Sequence, residues 1–196
     1  MLNKIENRGV LPYTLPMIPI NLEQTVIKLK GPTQEQIISC NQWAIVALER
    51  YHSNEIVAFE FEVDGILYSS KIAWKGGFSK AAMREKVDIA NYGGVAMAMF
   101  VMSVLLNYSY VEQTEIGDGV DFRFMEKEPD EDDLNFLAGG HYVEVSGILE
   151  EGESNTLASR LKKKHQQIER GNRNGEVSSV IVTLFKQPKT IKEVHS

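Results

Sequence analysis

HYVEVSGIL (residues 141–149) and VSSVIVTLF (residues 177–185), with TLASRLKKKHQQIER (residues 156–170) between them, decide how this chain is read. In the first stretch apolar and polar residues alternate, the period of a strand with two unlike faces. Val143 and Val145 share one face, Glu144 and Ser146 the other. The last stretch is almost continuously apolar, the pattern of a strand buried on both faces. Between them Leu157, Leu161 and Ile168 supply the buried stripe of a helix whose remaining circumference is charged or polar.

Working outward, two further strands are predicted over 108–116 and 120–127, joined by a tight turn at Gly117-Asp118-Gly119. The acidic run EKEPDEDD (126–133) and Gly139-Gly140 separate them from the 141–149 strand. Before them a helix is predicted over 80–106, capped by Ser79, with Gly93-Gly94 permitting close packing or a kink. Its later part is apolar all round and reads as buried. The run from Val95 to Leu106 is too short to cross a bilayer. Residues 55–75 read as a β-hairpin turning at Asp64-Gly65. Thr33-x-x-Gln36 reads as a capping box opening a helix that runs to about Tyr51. Residues 1–32 hold four of the six prolines and one extended segment within 18–29, ended by Gly31-Pro32. Residues 187–196 read as a flexible tail.

The predicted fold class is therefore α/β (α+β): a mixed sheet with an α-β-β-β-α-β core flanked by helices, plus an N-terminal helix and β-hairpin. The predicted organisation is an extension over 1–78 packed on a core over 79–186, with the tail beyond it. Cys40 is the single cysteine, which excludes an internal disulfide and a cysteine-based zinc site and fits a reducing, cytoplasmic setting. No signal-peptide pattern opens the chain, and no membrane association is expected. Net charge is −6, yet residues 155–196 hold nine Lys/Arg against three Asp/Glu, so that this region carries +6 and the remainder −12. A basic segment of this kind is either a solvated face, available for self-association, or a surface aimed at phosphate.

Chemistry enters with two acids. Asp121 and Arg123 share one face of the 120–127 strand, opposite Phe122 and Phe124. Glu144 lies between valines. A carboxylate among large apolar residues requires a cation, a basic partner or solvent. Two on adjacent strands could hold one divalent ion. Arg123 could instead hold a phosphate, or pair with Asp121 or Glu144. His141 reads as structural. His52, His165 and His195 show no metal-ligand spacing. Glu112 and Glu115 read as edge charges.

The order α-β-β-β-α-β, with Val120-Asp121 in the second strand and Glu144-Val145-Ser146 in the third, resembles the PD-(D/E)XK nuclease superfamily over residues 79–186. The resemblance implies metal-assisted hydrolysis of phosphodiester bonds in DNA or RNA, in a setting such as defence against foreign DNA. Asp121, Glu144 and the Val145 carbonyl would ligate Mg²⁺ or Mn²⁺; Glu85 on the preceding helix is a further candidate for the metal shell, although a solvated helix Glu paired with Lys80 or a neighbour is the favoured reading of it. Ser146 stands where the family has its lysine, so the catalytic cation would come from the following helix, with Lys163 as the assignment. Arg160, Lys162, Lys164 and Gln167 would contact nucleic acid. The same fold without a working lysine implies a second reading: a catalytically inactive subunit that scaffolds or binds nucleic acid, with a protein partner or a second copy. A third is an unrelated interaction protein whose acids are merely exposed.

Overall fold

The computed structural model describes residues 14–16, 19–23, 27–76, 81–115, 119–130, 139–171 and 176–195. The expected cap at Ser79, the turn residues 117–118 and the second half of the acidic run lie outside them. Nine strands form one mixed sheet among the described residues. In chain order they are β1 (Thr14–Pro16), β2 (Ile20–Asn21), β3 (Ile56–Val63), β4 (Ile66–Ala73), β5 (Tyr110–Gln113), β6 (Phe122–Met125), β7 (His141–Ile148), β8 (Val177–Leu184) and β9 (Lys189–His195). Three helices accompany them: α1 (Gln34–Glu49), α2 (Lys86–Phe100) and α3 (Leu157–Arg170). The sheet order is β1-β4-β3-β9-β8-β7-β6-β5, with β2 also on β4. The mixed α+β class is as expected.

Local chemistry accounts for the elements. The Thr33 hydroxyl accepts from the Gln36 N–H at 3.3 Å and the Gln36 side chain accepts from the Thr33 N–H at 2.8 Å, a complete capping box for α1. Asp64 and Gly65 both take positive φ, 51° and 81°, and close the β3–β4 hairpin as a two-residue turn. The cap of α3 is Thr156 with Ser159, a second capping box. The cap of α2 is Glu85, which accepts from Val87 N–H. Glu85 is therefore an exposed cap and not a helix-face residue turned toward a metal. The helix continues as a π-helical turn over Val101–Leu105.

β7 and β8 run parallel with α3 as their crossover, while β5, β6 and β7 are antiparallel neighbours. Alternation along the strands sorts side chains into two cores. Val143, Val145, Ile181 and Phe185 join α1 and α2 in the larger one. Tyr142, Ile148, Val180 and Val182 join Leu161 and Ile168 of α3 in the smaller. The layers are thus α1 and α2, then the sheet, then α3. The segment Lys86–Leu105 has the length and composition of a membrane span, but 61% of its most apolar window is buried inside the fold. It serves as a core helix.

Two expectations about organisation are corrected. Residues 189–195 are not a tail. They form β9, antiparallel to β8 and parallel to β3, with Thr190 and Lys192 buried. Lys192 tolerates that position because its ammonium meets Asp64 at 2.6 Å. The second correction follows: β9 joins the β3–β4 hairpin to the rest of the sheet, and one apolar cluster runs from Ile20 to Phe185. The described residues up to Gly76 belong to the same sheet and core.

Candidate functional site

β7 is buried along its whole length, so each of its side chains is committed to one core or the other. Its even-numbered residues face α3, which places Glu144 and Ser146 beneath that helix. The register Phe122↔Val143 puts Asp121, one step before β6, alongside Glu144 on the same face. Two hydrogen bonds fix it there. The Asp121 N–H donates to the Val143 carbonyl at 3.0 Å, and Asp121 Oδ2 accepts from the Val145 N–H at 2.8 Å. In a strand the N–H and C=O of one residue point the same way. The Val145 carbonyl is therefore directed to the Asp121 side.

From the other side comes α3. Arg160, Lys164 and Gln167 are spaced i, i+4, i+7 and form one ridge beside the Leu157–Leu161–Ile168 stripe. Lys164 Nζ forms an ion pair with Glu144 Oε1 and donates to Gln167 Oε1 at 3.2 Å. Arg160 donates to Ser146 Oγ at 3.2 Å and is held by Asn155 Oδ1 at 2.7 and 3.2 Å. Lys162 and Lys163 are exposed. The cation beside Glu144 is therefore Lys164, not Lys163. A turn of 100° per residue carries the Lys163 side chain away from the sheet, whereas Lys164 falls next to the buried stripe.

Glu144 is fully buried, and its second oxygen, Oε2, has no hydrogen-bond partner. Such an atom carries a desolvation cost of about 1–3 kcal/mol, more when charged. Burial, and then the like charge of Asp121, push the Glu144 carboxyl up to about 7, against the opposing pull of Lys164 and the Gln167 amide. A raised carboxyl binds its proton more tightly in the folded chain than in the unfolded one. Its contribution to stability thus falls as pH rises from 4.5 through about 7. Buried His141, held down to about 4 by burial and by Lys192, works in the opposite direction below 6.5. In metal-free protein the two effects offset each other in the acidic range. The difference between Glu144→Gln and the parent chain isolates the first. It is expected to grow with pH and reach about 3 kcal/mol in favour of the variant above pH 7. Urea unfolding across that range in a chelator checks it, and a pH-independent difference would contradict it.

A cavity of about 230 Å³ opens beside this cluster, lined among others by Gln113, Thr114, Asp121 and Gln167. Two carboxylates and a strand carbonyl are the hard oxygen donors that Mg²⁺ or Mn²⁺ takes, commonly with water and substrate completing the shell. The orphaned Oε2 is an acceptor of the kind such an ion would satisfy. By donor chemistry the residues fit. Among the described residues no group of three His, Cys, Asp or Glu side chains is arranged to hold a metal. The protein's own share would therefore be two side chains.

The chain matches no protein-family model, no curated protein and no solved structure. Function is thus argued from the geometry of this site.

The remaining candidates take other roles. Arg123 donates to the Gly139 carbonyl at 2.6 and 3.1 Å, pairs with Glu112 at 3.0 Å and lies over the Tyr142 ring. His141 bonds Ser179 Oγ at 2.6 Å and the Tyr108 hydroxyl at 2.9 Å inside the larger core, a structural role. Burial pushes the Cys40 thiol up, the reverse of what an activated nucleophile needs. Sequence spacing does not reveal the His165–His195 contact. Their Nδ1 atoms lie 3.1 Å apart, with Glu193 at 3.1 Å from His165 Nε2. Only the pairing of β9 with β8 brings them together.

Proposed function

We propose that the chain is a Mg²⁺- or Mn²⁺-dependent phosphodiesterase acting on nucleic acid, a small nuclease of the cytoplasm. The observation that carries this reading is the buried Glu144 with one oxygen unpartnered, beside Asp121 and under Lys164. Asp121, Glu144 and the Val145 carbonyl would hold the metal. A divalent ion supplies Lewis acidity toward a phosphate oxygen and lowers the pKa of water bound to it.

The chain's own groups account for the rest. Lys164, which arrives from the helix and not from the strand, would supply the cation beside the metal. Its ammonium can donate to water or to a phosphate oxygen while Glu144 holds it in place. Gln167, bonded to Lys164 and lining the cavity with Asp121, can donate an amide hydrogen to the same phosphate. Ser146 cannot carry a charge. It bonds the Arg160 guanidinium, which restores a cation near the family's lysine position. Lys162 and Lys163 remain as exposed charges for a nucleic-acid backbone.

Substitution of Lys164 tests this directly. Lys164→Met is expected to lower metal-dependent cleavage about 100-fold, on the scale of losing a general-acid or general-base group. Lys163→Met is expected to change it by little and to weaken binding modestly. Equal effects of the two would contradict the assignment. The exposed lysines and the Arg160–Ser146 contact also suit a second reading, a nucleic-acid-binding subunit that does not cut. It leads to salt-sensitive binding without cleavage.

A further inference from the structure

On the opposite face of the β5–β6 edge lies a second and larger cavity, about 680 Å³, between α1, α2 and β5. Three of its fourteen lining residues, Trp43, Tyr92 and Phe122, are aromatic and on this face, against 17 aromatic residues in the 196 of the chain; Tyr110, two residues before Glu112, is on the other face of β5. That is about a twofold enrichment, and it is not spent on a closed core. Tyr92 is 49% exposed, and its ring lies 5.6 Å from that of Trp43, tilted by 30°. Glu112 is the one charged residue in the lining, and its side chain is on the other face of β5, paired with Arg123. The cavity contains nothing to attract a phosphate. It offers flat apolar rings with amide and hydroxyl groups of Gln36, Gln113 and Ser39 at the margin.

The two cavities adjoin at the end of β5. Gln113 lines both, and the consecutive residues Asp121 and Phe122 line one each. β5 is the last strand of the sheet, its outer edge covered at Tyr110 by the bridge to Lys30, so a flexible chain would pass from one face to the other around its Gln113 end. We infer that the aromatic cavity receives an unstacked nucleobase of a single strand whose backbone lies at Asp121 and Glu144. This rests on the nuclease reading and names its substrate class: single-stranded nucleic acid, or a frayed or overhanging end. Stacking on aromatic side chains tolerates any base and requires no cation, which matches the lining. A duplex is too stiff to turn around a strand edge.

The test uses the full chain with a short single-stranded DNA and with the blunt duplex of the same sequence. Trp74 is buried, so quenching of tryptophan emission on binding should come from Trp43 and vanish in Trp43→Phe. The single strand is expected to quench, to bind more tightly than the duplex, and to be cut preferentially. Tyr92→Ala, at an exposed position, is expected to weaken single-strand binding by tenfold to a hundredfold, raising KM with kcat little changed. Cleavage without quenching, unaffected by Tyr92→Ala, would overturn the base site and leave the nuclease reading standing. Quenching without cleavage would support the base site and remove the nuclease reading. Neither signal would overturn both.

Discussion

Asp121→Asn and Glu144→Gln are each expected to reduce metal-dependent cleavage by about 10²–10³-fold, with the fold retained. The magnitude follows from what these changes delete. Each amide keeps the shape of the side chain but removes a full negative charge that only a cation-bound transition state requires, and losses of single preorganised groups of this kind reach about 10²–10³ in rate. The two routes to failure differ in a measurable way. Asp121 is also the acceptor for the Val145 N–H, so Asp121→Asn weakens the tie between the end of β6 and β7. A modest loss of stability should accompany its loss of activity. Glu144→Gln instead removes a carboxyl whose charged form burial disfavours, and should be the more stable chain at neutral pH. Cleavage assays with Mn²⁺ and thermal melts on the same samples check both. Retained cleavage in both variants would contradict the assignment.

Gly147→Ala is expected to destabilise the fold by about 3–5 kcal/mol, a drop in Tm of roughly 10 °C. A Cβ at Gly147 would lie 1.7 Å from the Ala90 carbonyl oxygen and 2.4 Å from its carbon. These are backbone atoms of α2, so no rotamer change relieves the overlap; the helix must move off β7. Gly94 reciprocates, with a Cβ there falling 3.0 Å from the Gly147 amide nitrogen. This mutual approach places α2 against the strand that carries Glu144. Gly152→Ala provides the control: nothing lies within 4 Å of the added Cβ, and the expected change is within about 0.5 kcal/mol. Equal melting temperatures for the two variants would show that the α2–β7 contact is looser than described.

These contacts also explain which features were legible in the sequence. β8 could be read because a strand covered on both faces has almost no polar residues. The β3–β4 turn could be read because Asp-Gly tolerates positive φ. Gly93 and Gly94 announced close packing, although not against which neighbour. β9 was hidden. Lys189, Lys192 and Glu193 give it the composition of a solvated end, and only Asp64, 128 residues away, makes a buried Lys192 tolerable. Lys164 was hidden among three consecutive lysines. The signal that separates them is helical phase: Arg160, Lys164 and Gln167 flank the apolar stripe, and Lys163 does not. Glu85 is exposed, in line with its reading as a solvated charge; the helix starts six residues later than its apolar pattern suggests, which makes that residue a cap. Arg123 was read as a partner for phosphate or for the site acids, whereas its guanidinium is anchored on the Gly139 carbonyl and Glu112.

Titration calorimetry of the metal-free chain with Mn²⁺, repeated on Asp121→Asn and Glu144→Gln, measures most directly whether these acids form a metal centre. One ion per chain is expected, with binding strengthening as pH rises through 7 and disappearing in both variants. No heat of binding in the parent chain, or an ion retained at equal affinity in both variants, would contradict it.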